Sequence, residues 1–482
     1  MFRGNAEAVI RENLVRRGYL KGIIGLPPNL FYGTGIPACI LVVDKRESAG
    51  RRGIFMVDAS TGFIKDGAKN RLRSQDIHKI VDVFNNQIDT PVYARMVGFD
   101  EIEKNEFNLN LPRYIDSSEK EDLQDISAHL IGGIPVRDID DLQDYWDVCP
   151  TLRQHLFTDN RPGYVDLAVE KSEIKPAIFE HPEFVGFAKG MNDHFDAWRT
   201  RHAAELRELT AGFNPKDLID QLSEDLLSHY RGKPLIDAYD IYQHLMDYWT
   251  DTMQDDAYLI AADGWIAETS RIIERQKNGK EKDKGWTCDL IPKPLIVARY
   301  FADEQAAIDQ LNAQLDAKEA EQAELEEEHG GEEDAFGSMD KINKSTVTAR
   351  IKELADGDEA DEELTVLKKW QTVSTAIAKL KKQIKTSEND LDTLAHDQYS
   401  ILGESEIKTL LVDDKWMAVL ATKIQAETNQ VSNSLTTRVK DLADRYDTPI
   451  ALLDARVEEI QSKVKNHLCK MGFESEVSQV MA

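Results

Sequence analysis

The sequence predicts an α/β region followed by a mostly α remainder, and three observations carry that reading. The first is Tyr19–Val43, YLKGIIGLPPNLFYGTGIPACILVV, in which two apolar runs (Leu20–Leu26 and Ala38–Val43) flank a loop holding Pro27, Pro28, Gly33, Gly35 and Pro37. Short runs rich in Ile and Val and bounded by Gly and Pro read as buried strands. The second is Gly53–Asp58, GIFMVD, a further run of the same kind. The third is the change of period beyond about Glu119, where apolar residues recur at helical spacing. The loop between the first two strands carries Asn29, Phe31, Tyr32 and Thr34. Polar and aromatic groups at strand ends are where α/β proteins bind ligands.

Taken in order, Ala6–Arg17 predicts a helix with Val9, Ile10 and Leu14 on one side. It leads into the hairpin and then, through the polar connection Asp44–Arg52, into the third strand. A basic loop follows with Lys65, Lys69, Arg71 and Arg73. Ser74 then N-caps a helix to about Asn86, with Asp76 in its first turn and Ile77, Ile80, Val81 and Phe84 on one face. Val92–Val97 reads as a strand. Phe107–Ile115 reads as extended, with Phe107, Leu109 and Leu111 on one side and Asn108 and Asn110 on the other. A helix feeding two strands with no earlier strand to pair is an unusual start for an α/β sheet, and suggests a fragment or split half of a longer protein.

Past that region, Asn214-Pro215 is a cap and N1 pair opening a helix with Leu218, Leu222 and Leu226. Asp237 opens another with Ile241, Leu245 and Trp249. Arg275–Lys284 reads as a mobile Lys-rich loop. Ala302–Leu325 is helical, with Ile308, Leu311, Leu315 and Leu325 at heptad spacing, and the acidic run Glu326–Asp334 reads as a solvated linker. A second heptad, Val366, Trp370, Val373, Ile377, Leu380, Ile384, Leu391 and Leu394, is broken only at Ser387 and predicts a coiled coil folding back on the first helix or meeting a partner. Ile407–Leu468 is helical with an interruption near Pro449. The expected segments are 1–118, 119–300, 301–400 and 401–482.

Composition bounds the function. The 482 residues carry 59 basic and 87 acidic side chains, a net charge of −28. Such a chain does not coat nucleic acid by itself, because phosphate binding needs a basic face. The four cysteines, Cys39, Cys149, Cys288 and Cys469, are scattered, so neither a zinc site nor a disulfide framework is indicated and a reducing cytoplasm fits. No apolar run approaches the ~20 residues of a membrane span. His78, His229, His244 and His396 show no ligand spacing, and no metal is expected. Phe31 or Tyr32 can serve as an aromatic platform for a ring or base, or as a plug closing the hairpin. Lys65, Lys69, Arg71 and Arg73 can fix phosphates or simply be solvated. Asn108, Asn110, Arg113 and Tyr114 can contact a nucleic acid or second chain, or satisfy a strand edge.

The runs IRENLVRRGYLKGIIGLPPNLFYGTGIPACILVV, FMVDAS, KNRLRSQDIHKIVDVF and FNLNLPRYID closely resemble the modification (M) subunit of type I restriction–modification systems, a family of adenine-N6 DNA methyltransferases. IYQHLMDYWTDTMQDDAYLIAADGW and EIKTLLVDDKWMAVLATKIQAE resemble later parts of the same subunit. The resemblance implies a partial Rossmann-like methyltransferase sheet (its distal strands) plus a helical C-terminal extension docking the DNA-specificity (S) subunit. It further implies S-adenosylmethionine as methyl donor, and the restriction (R) subunit and DNA as partners within the complex. By the same resemblance Phe31 stacks on the flipped-out adenine, with Tyr32 the fallback.

Two departures shape the expectation. Phe31–Gly35 spells the family's F-x-G-x-G cofactor loop, but it runs into Pro37 and a strand where a helix is needed. Asn29 follows the prolines that it should precede in the catalytic Asn-Pro-Pro-Phe motif. The chain alone is therefore expected to lack catalytic and cofactor-binding residues and to be inactive without a separate chain carrying the N-terminal half. The alternative is a non-catalytic coiled-coil interaction protein.

Overall fold

The computed structural model describes residues 4–116, 124–275, 279, 281–331, 334–337, 339, 341–355 and 361–471. The expected boundary at 118–119, part of the Lys-rich loop (276–278 and 280), and residues 332 and 333 of the acidic run lie outside them. The chain divides into two compact units. One comprises Met1–His202, Lys216–Thr252 and Leu420–Ala482, and the other Ala203–Pro215 and Met253–Val419. Among the described residues no helix is long and apolar enough to cross a membrane.

In the first unit, helix α1 (Ala6–Arg16) leads into β1 (Leu20–Gly25), β2 (Cys39–Val43) and β3 (Gly53–Asp58). A polar hairpin follows, β4 (Ile64–Asp66) and β5 (Lys69–Arg71), then helix α2 (Ser74–Asn86), β6 (Ala94–Gly98) and helix α3 (Phe99–Lys104). The main sheet has the order β2-β1-β3-β6 and is mixed. β1 and β3 are parallel, while β2 and β6 are antiparallel neighbours at its two sides. β3 is buried along its whole length. Its period of two sends Ile54 and Met56 into one apolar cluster and Phe55 and Val57 into the other. Val15 of α1 with Leu109, Leu111, Tyr114 and Ile115 closes the first face; Ile80, Val83 and Phe84 of α2 close the second.

Several local expectations are corrected. Arg73, not Ser74, is the N-cap of α2: its backbone N–H donates to the Asp76 carboxylate at 2.8 Å, and its guanidinium grips the same group. The buried face of α2 is Ile80, Val83 and Phe84, whereas Ile77 and Val81 are about half exposed, because the sheet meets the helix about one residue's rotation away from the predicted stripe. β6 starts at Ala94 because Val92, with φ 65°, lies in the turn closed by Thr90 and Ala94. Phe107–Ile115 is not a strand. Glu106 and Phe107 are left-handed, Leu111–Arg113 forms a 3-10 turn, and Leu109, Leu111, Tyr114 and Ile115 all enter the core.

The remainder of this unit is mainly helical, with a small sheet that the sequence did not reveal: Ile134–Pro135, Phe157–Arg161 and Tyr164–Leu167, the last in the middle. Helices Pro215–Tyr230 and Ala238–Tyr248 form as the caps predict; the Asp237 carboxylate accepts from Tyr239 N at 2.9 Å. The second of them holds α2 from outside through Gln75 to Asp240 (2.6 Å), Tyr239 to Asp82 (2.6 Å) and the His78 ring stacked on Tyr242.

In the second unit, Arg275 and Glu281–Lys284 of the expected loop lie instead in the two strands of an antiparallel hairpin, Ser270–Arg275 with Glu281–Thr287. The cross-strand pairs Arg271–Asp283, Arg275–Glu281 and Lys284–Glu274 explain why a polar stretch forms strands at all. Helices Ala302–Glu328 and Asp361–Tyr399 pack against each other in opposite directions. Trp370 Nε1 donates to Glu326 at 2.6 Å and Lys381 pairs with Glu319 at 2.7 Å. A buried polar knot lies nearby in sequence. Asp256 accepts from Lys415 Nζ at 2.7 Å and from Trp416 Nε1 at 2.8 Å, both donors belonging to a π-helical stretch, Thr409–Met417.

Candidate functional site

The parallel pair β1 and β3 ends in register at Gly25 and Asp58. There the buried chain must turn out to solvent, and a cavity of about 520 Å³ opens. Its floor is apolar, from Ile23, Leu26 and Leu111; its polar groups are Asp58, Ser60 and Asn110. Asp58 is 5% exposed, and one of its carboxylate oxygens accepts from Ser60 N at 3.1 Å. Gly25 permits this closeness: a Cβ there would lie 2.4 Å from Leu111 Cδ1. Among the described residues no cluster of His, Cys, Asp or Glu could hold a metal ion.

Leu26 and Pro37, the two ends of the Pro- and Gly-rich loop, both line this cavity, so the loop rises from its rim. The β4–β5 hairpin pins it. Asn70 Nδ2 donates to Pro28 O at 2.7 Å, Asn70 N to Asn29 O at 3.1 Å, and Lys69 Nζ to Phe31 O at 2.8 Å. Asn29 itself is left-handed, with φ 56°. The consequence is a fixed backbone that presents two aromatic rings outward: Phe31 is 50% exposed and Tyr32 94%. An exposed ring on an anchored backbone can stack on a flat ligand at low ordering cost.

The four basic residues read as phosphate contacts have different employments. Lys69 holds the loop carbonyl, Arg73 caps α2, and Arg71 faces Asp66 at 3.5 Å. Lys65 is exposed on β4. Of the 107–115 stretch, Asn110 reaches the cavity, Arg113 is exposed, and Asn108 Oδ1 accepts from Asn110 N at 3.0 Å. The heptad side chains are far along the chain. Trp370, Val373, Ile377, Ile384 and Leu391 are buried, Val366 and Leu380 are partly covered, and Leu394 is 43% exposed. Leu315 and Leu325 of the facing helix pack on Val373 and Ile377.

Asp58 and Ser60 were missed by the sequence reading. The available signal was an acid closing a fully apolar run, GIFMVD, followed by small residues. A buried carboxylate at such a point needs hydrogen-bond partners, which marks it as more than a solvated end.

Comparison with known proteins gives the following. Residues 1–123 match the family model described as N-6 DNA Methylase. The chain is 38% identical over 128 residues to the type I restriction enzyme MjaVII methylase subunit of Methanocaldococcus jannaschii, covering 26% of this chain and 22% of that protein. It is 36% identical over 124 residues to the type I restriction enzyme MpnII methylase subunit of Mycoplasma pneumoniae, covering 26% and 23%. A crystal structure of the type I restriction-modification system methyltransferase subunit from Streptococcus thermophilus matches at 36% identity over 24% of each chain, with a TM-score of 0.23. The matched stretch thus spans less than a quarter of the length of either curated relative.

Proposed function

We propose that the chain, whose residues 1–123 match the N-6 DNA Methylase family model and resemble type I restriction enzyme methylase subunits, forms part of a cytoplasmic adenine-N6 DNA methyltransferase. Its share is one wall of the target-base pocket. The observation that carries this is Phe31, half exposed on a loop that Lys69 and Asn70 anchor at the rim of the strand-end cavity. A base taken out of the duplex would stack on Phe31, with Tyr32 beside it, while Asn110 meets its polar edge and Lys65 and Arg71 meet backbone phosphates. S-adenosylmethionine, the family's methyl donor, and the amine-orienting residues would be held by sequence outside these 482 residues. Further sheet strands have a place to add. The outer edge of β2 is unpaired among the described residues, with Ile40, Leu41 and Val43 about half exposed, and an apolar edge of that kind calls for cover.

The specificity subunit would dock on the helical part, and the restriction subunit would join through that complex. Helix Ile450–Lys470 offers a surface for docking: Ile450, Leu453, Val457, Ile460 and Val464 recur at alternating steps of three and four and are all about half exposed. The same stripe is what favours the second reading, a non-catalytic interaction protein. Mixing separates the two. The chain would be combined with a specificity subunit and a polypeptide carrying F-x-G-x-G and N-P-P-F, and methyl transfer to adenine measured. Transfer by the mixture, absent from the chain alone, is expected. Phe31→Ala should slow it by about 1–3 kcal/mol, the worth of one base–aromatic stack, and Phe31→Trp should restore much of the rate. Unchanged transfer in both Phe31→Ala and Tyr32→Ala would overturn the base-pocket reading.

A further inference from the structure

The opposite end of the same sheet holds a second cavity, of about 590 Å³, where β1 and β3 begin. Lys21, Glu47, Arg51, Arg52, Gln87 and Met96 line it. Three features of the backbone converge there. The β1–β2 register slips between Leu20 and Gly22, which makes Lys21 the extra residue of a bulge, the device by which a strand re-aims a side chain. Glu47 and Gln87 are both left-handed, with φ 55° and 50°. At Gln87 this is the ordinary close of helix α2; at Glu47, in the connection between β2 and β3, a residue with a Cβ adopts it at a cost.

The cations at this cavity are not equivalent. Arg51 is committed to the connection between β2 and β3: its guanidinium donates to Asp44 O at 2.9 Å and to the carbonyls of Gly18 and Arg46. Lys21 and Arg52 have no side-chain hydrogen bond or ion pair among the described residues. In a chain of net charge −28, other cations are paired with acids, as Lys79 is with Asp237 and Arg231 with Asp82. Lys21, Arg51 and Arg52 against the single lining carboxylate, Glu47, make the local charge of this cavity positive, opposite in sign to the chain as a whole. The size is in the range of small-molecule sites.

We propose that this cavity binds a phosphate monoester of nucleotide size. The Arg52 fork and the Lys21 point charge take the phosphate oxygens, and the Glu47 carboxylate accepts from a hydroxyl or amino group of the ligand. The site is separate from the strand-end cavity and does not depend on the methyltransferase reading.

Calorimetric titration of the full chain at low salt with adenosine monophosphate, and separately with inorganic phosphate, tests this. Saturable binding of the nucleotide is expected, weakened at least tenfold in Lys21→Ala and in Arg52→Ala. Glu47→Gln should weaken the nucleotide several-fold and leave inorganic phosphate unchanged. Thermal melts of each variant separate a lost site from a lost fold. Displacement of the nucleotide by a short DNA oligonucleotide would identify a nucleic-acid phosphate as the source of the ligand, and its persistence a free nucleotide. Absent saturable binding, equal affinity in Lys21→Ala and Arg52→Ala, or loss instead in Phe31→Ala would each overturn the proposal.

Discussion

Along Asp361–Tyr399, the heptad residues Trp370, Val373, Ile377, Ile384 and Leu391 are each less than a tenth exposed, covered by the chain's own helices. Along Ile450–Lys470, Ile450, Leu453, Val457, Ile460 and Val464 follow the same alternation of three and four, and each remains 46–51% exposed. The pattern written in the two helices is alike and the outcome is opposite. What differs is supply. Leu315 and Leu325 rise on a facing helix to meet the first stripe, and Glu326 and Glu319 fix the pairing by taking Trp370 and Lys381. The second stripe has no such cover among the described residues. A heptad thus states that a helix wants a partner, and says nothing of whether that partner is in the same chain.

The contrast can be broken most forcefully at its covered side. Ile377→Asp places a charge in a dry seam and should destabilise the second unit by about 3 kcal/mol or more. Leu380→Asp, only partly covered, should cost clearly less. Equal small losses in chemical denaturation would mean that the antiparallel pair is not a packed interface.

At the exposed side, Ile460→Asp should leave stability within about 0.5 kcal/mol, as for a surface change. It should instead weaken association with the specificity subunit by about 2 kcal/mol or more if the stripe is the docking surface proposed above. Co-elution of the two chains on size exclusion reads this directly. Undiminished co-elution would remove the stripe from the docking proposal.

The smallest effect concerns pH at the far end of the covered helix. Burial alone would push the Asp392 carboxyl up. Hydrogen bonds from Lys293 and Trp286, with the Lys293 charge, outweigh it and hold the carboxyl below its ordinary value. A carboxyl depressed in the folded state stabilises that state above its unfolded pKa of about 3.9, and the gain is lost as pH falls through the folded value. Asp392→Asn should therefore flatten the acid limb of stability and leave the slope near neutrality unchanged. An unaltered acid limb in thermal melts would count against this ion pair.

The same division between pattern and partner runs through the sheet region. β3 was legible to its ends, Gly53 and Asp58, because a buried strand must be apolar on both faces. The bounds of α2 were legible too, although its cap and buried face were not, since both depend on where Asp76 and the sheet sit. The β4–β5 hairpin and the Ser270–Thr287 hairpin were invisible to hydrophobic period. They are polar strands held by cross-strand pairing, and their information lies in the neighbour. At the site, Phe31 could be singled out as an aromatic in a turn-rich loop at a strand end. That Lys69 anchors its backbone could not, because a lysine reaching a carbonyl 38 residues earlier in the chain leaves no periodic trace.

By itself, the sequence determined the α/β region with its apolar strands, the helical remainder and its heptads, the acidic balance, and the likeness to a methylase subunit. The first three are properties of composition and local period, to which each residue contributes its own share; the likeness rests on the resemblance of particular runs of sequence. Only the tertiary structure decided which basic side chains are engaged and which, like Lys21 and Arg52, face a cavity without a partner. It also decided that Asp58 closes a cavity floor, and which of two similar heptads is covered. Those outcomes depend on groups distant in sequence coming within a few ångströms, where hydrogen bonding and exclusion of water act.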